Sequence, residues 1–185
     1  MDVTPHDLGL DEFILEVGRE PVSSLTQERL MDFTRRLIIS DELIASRTRF
    51  AANTYARNLV CRSADFELLV LCWKPGHEST IHDHAGSLNA IKVHRGELTS
   101  RVFVPAAGRP AGTGPVGLLA EERVPQGGWT GVDRGGIHQI ANTAQEDLVS
   151  VHVYAPPLTE LVVYSTRSAE TERRPLRSTL ADDLA

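Results

Sequence analysis

The chain has little cysteine, no long apolar run and no excess of positive charge. Two cysteines among 185 residues, Cys61 and Cys72, cannot supply the disulfide framework of a small secreted domain. Each adjoins or sits inside an apolar run, so both read as packed free thiols. No apolar stretch approaches the roughly 18–20 residues that cross a bilayer, so no membrane partner is expected. The formal charge of −6, with no basic stripe to offset it, argues against a nucleic-acid surface. Arg173-Arg174 reads as a solvated tail feature. The opening residues MDVTPHDLGLDEF are acidic and lack a basic-then-apolar signal pattern, so a cytoplasmic location is expected.

Hydrophobic residues at 41% suffice for one core. Leu10, Phe13, Ile14 and Val17 form a helical stripe that Gly18 and Pro21 should end. Ser24-Leu25-Thr26-Gln27 has the spacing of a capping box opening a second helix, with Leu30, Phe33, Leu37 and Ile38 on one face. A short piece from Asp41 to Ser46 follows. From about Arg49 the pattern changes to short apolar or alternating runs: NLVC, FELLVLCW, LNAIKVH, ELTSRVFV, VGLLAEERV, GGWTGV, IHQIAN, LVSVHVYA and LTELVVY. Evenly spaced short strands predict an all-β sandwich or barrel. Arg95-Gly96 reads as a hairpin turn, and PAAGRPAGTGP (105–115) as a loop. The expected organisation is a helical cover over 1–48 packed on a barrel over 49–164, with a polar tail over 165–185 that lies along the barrel or stays mobile.

Three of seven histidines fall within GHESTIHDH (76–84). On a strand, residues i and i+2 share a face, so His82 and His84 would present two imidazoles side by side with Asp83 turned away. His138, in a later strand, is the candidate third ligand of one metal ion. Gly76, His82, His84, Asn89 and Gly96, then Gly127, Asp133, Gly135, His138 and Asn142, resemble the two cupin motifs, G-x5-H-x-H-x3-4-E-x6-G and G-x5-P-x-G-x2-H-x3-N. Two positions depart: Asn89 stands for the glutamate and Asp133 for the proline. The fold implied is an all-β cupin barrel (a double-stranded β-helix, or jelly roll) under an N-terminal helical cover. Without the carboxylate, the site offers three neutral imidazoles and leaves up to three positions for outside ligands, which suits Fe(II) and oxygen chemistry; zinc is also compatible with three histidines.

Within the cupins the chain resembles the cysteine dioxygenases, in their bacterial, arginine-bearing form, through YARNLV, HESTIHDHAGS, GIHQIAN and SVHVYAPP. The resemblance implies Fe(2+) held by His82, His84 and His138, and oxidation of L-cysteine with O2 to cysteine sulfinic acid. It implies a substrate carboxylate on Arg57 with Tyr55 as a second contact, and a Ser150–His152–Tyr154 set in catalysis. Alternate strand positions put those last three on one face. Asn89, an uncertain pocket residue, stands where animal members carry a cysteine crosslinked to the tyrosine, so no crosslink is expected; its amide could reach Tyr154 or the metal. His6, His77 and His94 receive no role, and Trp73 and Trp129 read as packing aromatics. The expected partners are a small thiol and O2, and the expected state is a monomer. Two alternatives remain: a dioxygenase of another small thiol such as 3-mercaptopropionate, and a non-catalytic metal-binding cupin sensor.

Overall fold

The computed structural model describes residues 6–106 and 115–176. Three helices come first: α1 (Leu10–Arg19), α2 (Gln27–Arg36) and α3 (Asp41–Arg47). Eleven strands follow: β1 (Ala56–Arg62), β2 (Glu67–Trp73), β3 (His82–Asp83), β4 (Leu88–Arg95), β5 (Leu98–Pro105), β6 (Val116–Val124), β7 (Trp129–Val132), β8 (Ile137–Ala141), β9 (Leu148–Ala155), β10 (Glu160–Val163) and β11 (Glu172–Pro175). They form two sheets, β1-β2-β9-β4-β7 and β11-β10-β3-β8-β5-β6, and every strand pairing is antiparallel.

The five-stranded sheet is buried on both faces, which explains why β2 and β9 are buried along their whole length. Its outer face, with Leu68, Val70, Cys72, Val149, Val151 and Val153, packs in one cluster with Phe13, Leu30, Phe33 and Ile44 of the helices. Its inner face contributes Leu69, Leu71, Trp73, Ile91 and Tyr154 to a second cluster inside the barrel. Because side chains alternate along a strand, one run serves two cores.

Polar contacts clamp α2 across β4. Gln27 Nε2 donates to the Asn89 carbonyl at 2.9 Å, and Lys92 Nζ donates to the carbonyls of Arg35 (3.0 Å) and Leu37 (2.7 Å). A cation on the carbonyls at a helix C-terminus satisfies acceptors that have no partner within the helix. The N-cap of α2 is Thr26, whose Oγ1 accepts from Arg29 N–H at 3.2 Å. Ser24 is not the cap: its hydroxyl donates to the Pro21 carbonyl instead. α1 runs past Gly18 to Arg19, and the His6 carbonyl accepts from Arg36 Nε.

The four motif glycines, Gly76, Gly96, Gly127 and Gly135, all have positive φ. Gly96 is the most constrained, since a Cβ there would lie 2.8 Å from the Asp147 carbonyl oxygen. Asn142 ties the turn after β8 to β2, donating to the carbonyls of Trp73 and Glu146 and accepting from Ala144 N–H. Part of the polar tail forms β11, which pairs with β10 and so adds an edge to the six-stranded sheet. Most of the loop expected over 105–115 and the end of the tail lie outside the described residues.

Candidate metal centre

His82 on β3 pairs in register with His138 on β8, and His84 follows one residue beyond the two-residue strand. A nitrogen from each of the three lies within 4.8 Å of the others, and all three side chains are buried. Two contacts fix the segment that carries His82 and His84. Tyr164 donates its hydroxyl to Asp83 Oδ2 at 2.6 Å, and Ala85 N–H donates to Asp83 Oδ1 at 2.8 Å. Asp83 is thus turned from the cluster, as alternation requires.

The donor set fits a cation. His82 Nδ1 lies 2.8 Å from the Thr80 carbonyl; a carbonyl only accepts, so Nδ1 carries the proton and Nε2 keeps its lone pair for the cluster. His84 and His138 bring their Nε2 atoms to 3.1 Å. Nitrogens bonded at right angles to one ion, each at about 2.0–2.1 Å, lie about 3 Å apart. Burial, the largest influence, pushes the His82 pKa down to about 4. Burial and the neighbouring histidines hold His84 and His138 well below the ordinary imidazole value. All three are therefore neutral at pH 7, the form that binds metal.

The opposing sheet supplies a different set of groups. One small cavity is lined by His82 and His138 from the six-stranded sheet and by Tyr55, Arg57, Trp73, His152 and Tyr154 from the other side. Arg57 is buried, with its guanidinium carbon 5.4 Å from the centre of the Tyr154 ring. Its Nε has no partner among the described residues. Burial opposes its charge, but Tyr154, Tyr55 and Glu67 around it outweigh that and hold its pKa above the ordinary value. Tyr55 stacks on Trp73 with ring centres 4.1 Å apart.

Ser150, His152 and Tyr154 occupy successive inward positions of β9 and are joined by hydrogen bonds. Ser150 Oγ lies 2.9 Å from His152 Nε2, and His152 Nδ1 lies 3.2 Å from Tyr154 Oη. Trp73, read from the sequence as packing alone, extends this chain: its indole N–H donates to Ser150 Oγ at 3.0 Å. An indole can only donate. Ser150 therefore accepts there and turns its own hydrogen to His152 Nε2, its remaining partner among the described residues. The ring proton then sits on Nδ1 and is given to Tyr154 Oη, which leaves the phenol proton free for an acceptor in the cavity. Burial, opposed by Arg57, pushes the Tyr154 pKa up to about 12, so that proton is retained at neutral pH.

Asn89 does not reach Tyr154 by its amide. Register sets the two residues opposite each other, but Nδ2 donates to the Val153 carbonyl at 3.4 Å, and the buried Oδ1 has no partner among the described residues. Sequence reasoning also missed Glu67, which is fully buried and accepts from Arg57, Arg62 and Leu158 N–H. The signal was available: Glu67 is the one charged residue in FELLVLCW, and a buried charge needs partners. His77 accepts from Lys74 N–H and His94 lies 3.8 Å from exposed Asp41; neither joins the cavity.

Known proteins share this fold and this family. Among solved structures, TT1209 from Thermus thermophilus matches with a TM-score of 0.52 at 20% identity, over 64% of this chain and 97% of that one. A Klebsiella pneumoniae protein with a double-stranded β-helix domain matches with a TM-score of 0.52 at 20% identity, over 69% and 96%. These likenesses establish the cupin-type barrel. Cysteine dioxygenase type 1 of Danio rerio is 33% identical over 125 residues, 65% of this chain and 60% of the relative. The human protein of that name is 30% identical over 129 residues, 68% and 62%. The chain thus matches about three-fifths of the length of these relatives. The family pattern of cysteine dioxygenase type I matches residues 32–167, which takes in the helix-to-barrel junction and the three histidines, and the chain belongs to that family.

Proposed function

We propose that the protein is a non-haem iron thiol dioxygenase that oxidises L-cysteine to cysteine sulfinic acid. The observation that carries the reading is one cavity in which His82 and His138, two members of the three-histidine cluster, face Arg57 and Tyr154 across the barrel. A site for metal alone needs neither a buried guanidinium nor a positioned phenol.

His82, His84 and His138 are the ligands in this reading, held by β3, β8 and the loop after β3. Ferrous iron bound there would supply a Lewis acid that lowers the thiol pKa and a place where sulfur and dioxygen meet. Sulfur gives up four electrons and O2 takes four, so both oxygen atoms end on sulfur and no external reductant enters. The chain's own groups do the positioning. Arg57 offers two parallel charge-assisted hydrogen bonds to a carboxylate, with Tyr55 beside it. Tyr154 directs its phenol proton into the cavity, fixed from behind by His152, Ser150 and Trp73. Holding both reactants in one orientation is the entropic part of the rate gain. Asn89 stands opposite Tyr154 across β4 and β9. The reading also takes the protein as a cytoplasmic monomer with an arginine-type pocket, acting on a small thiol and O2.

The test is turnover of a small thiol panel, including L-cysteine and 3-mercaptopropionate, by protein loaded anaerobically with Fe(II). Sulfinate formed from cysteine with one O2 consumed per thiol is the expected result. Binding of iron and thiol without O2 uptake would overturn the reading in favour of a sensor. Preference for 3-mercaptopropionate would overturn the substrate assignment. In Arg57→Gln, cysteine turnover should fall; unchanged turnover would remove Arg57 from its role.

A further inference from the structure

The buried carboxylate of Glu67 lies between two arginines, and its two oxygens are shared unequally. Oε1 accepts from Arg57 Nη2 at 3.3 Å and from Leu158 N–H at 3.2 Å. Oε2 accepts from both Nε (2.9 Å) and Nη2 of Arg62. Arg57 thus makes one long contact with Glu67, whereas Arg62 makes two. The three groups carry a net charge of +1, and the uncompensated part lies on Arg57. That residue is the inner one, with a buried Nε lacking any partner among the described residues. The Arg62 side chain, 41% exposed, belongs to the outside.

A shift of register places Arg62 here. Along β1 and β2, Arg57 pairs with Leu71 and Leu59 with Leu69, but beyond a one-residue irregularity Cys61 pairs with Leu68 and Arg62 with Glu67. In unbroken register residue 61 would stand opposite Glu67. Bulges re-aim side chains in this way, and this one gives the buried carboxylate a second cation.

We propose that Arg62, which does not line the cavity, is a positioning residue that sets the preference for thiols bearing a carboxylate. It draws the charge of Glu67 outward and so leaves the charge of the Arg57 guanidinium less compensated toward the cavity. Without Arg62, the whole carboxylate charge falls to Arg57 and the pull on an anionic substrate weakens. The inference rests on the proposed role of Arg57 as the carboxylate site.

The experiment compares L-cysteine with 2-aminoethanethiol, which is the same molecule without its carboxylate. Anaerobic calorimetric titration of the metal-loaded protein gives both dissociation constants, and sulfinate formation is followed in parallel. Wild type should bind cysteine more tightly than the amine thiol. In Arg62→Met that ratio should shrink about tenfold, the scale of one partly screened charge interaction, through weaker cysteine binding alone. Arg62→Lys, which keeps the charge, should restore most of it. Glu67 keeps Arg57 and Leu158 N–H in the Met variant, so the fold survives. A merely structural role for Arg62 would weaken both ligands equally, or lower the active fraction, and leave the ratio unmoved; that outcome overturns the inference and spares the reading of Arg57. No preference for cysteine in wild type would overturn both. Tight, carboxylate-dependent binding without sulfinate would overturn the dioxygenase reading and leave the inference standing.

Discussion

Replacing Ser150 by alanine cuts the buried chain from Trp73 to Tyr154 at its middle link. The hydroxyl accepts from the Trp73 indole at 3.0 Å and meets His152 Nε2 at 2.9 Å, and Ser150, Trp73 and His152 are all buried. Its loss leaves one buried donor, on Trp73, and one buried acceptor, on His152, without their partner. Each buried group left unpaired costs about 1–3 kcal/mol, so a loss of about 2–6 kcal/mol is expected, a large share of a typical folding stability. With a urea m-value of about 2–3 kcal/mol/M for a chain of this size, the midpoint should fall by roughly 1–3 M at unchanged m. The double variant carries the sharper test. Trp73→Phe on the Ser150→Ala background removes the stranded donor, so its cost should be at least about 1 kcal/mol smaller than on wild type. Strictly additive costs, or a single-variant loss below about 0.5 kcal/mol, would refute the hydrogen-bonded chain.

His138→Ala should abolish stoichiometric iron retention after anaerobic loading and dialysis, while far-UV circular dichroism stays that of the folded barrel; full retention would remove His138 from the ligand set. Metal-free protein should lose stability as pH falls from about 7 toward 4. His82 is depressed to about 4, and His84, His138 and His152 also lie well below their unfolded value. The unfolded chain therefore binds protons first, and the stability present above about pH 6.5 drains away below it. For His82 the shift is worth roughly 3 kcal/mol; denaturation midpoints flat between pH 7 and 5 would contradict it. Gly96→Ala should cost about 2 kcal/mol or more in chemical denaturation, because φ is +84° and a Cβ would press the Asp147 carbonyl at 2.8 Å. A neutral effect would mean that the hairpin turn is free to rearrange.

Periodicity carried the sequence a long way. A stripe at 10, 13, 14 and 17 gave the first helix, and alternation on β9 put Ser150, His152 and Tyr154 on one face from spacing alone. The histidine pair at 82 and 84 needed only a two-residue spacing. These are all relations within one strand or helix, where spacing and direction are coupled by backbone geometry. The capping of α2 went astray for a related reason: two hydroxyls, Ser24 and Thr26, stand two residues apart, and only the path of the chain at Pro21 decides which one meets the helix.

Relations between strands were not legible, and they supplied the rest of the site. Whether Trp73 touches Ser150 depends on the pairing of Leu71 with Ser150 and Trp73 with Leu148 across β2 and β9. Nothing in FELLVLCW fixes that register. Arg62 is the extreme case, because an irregularity of one residue decides which side chain faces Glu67, and β-pairing moves every residue to the opposite face when it slips by one. Asn89 shows the converse. Its place opposite Tyr154 follows from register, yet being opposite did not make a bond: the amide donates instead to the carbonyl of Val153, the residue beside Tyr154 on β9. The histidine triad survives this limit since His82 and His138 are themselves a cross-strand pair, and two motifs separated in the chain could be expected to meet only because a barrel returns one strand beside the other. On the proposed reading, the charge that would face a substrate carboxylate is set by pairing in β1 and β2, on the sheet opposite the three histidines, and variation at Arg62 or Glu67 would then retune the cavity while the histidines stay as they are.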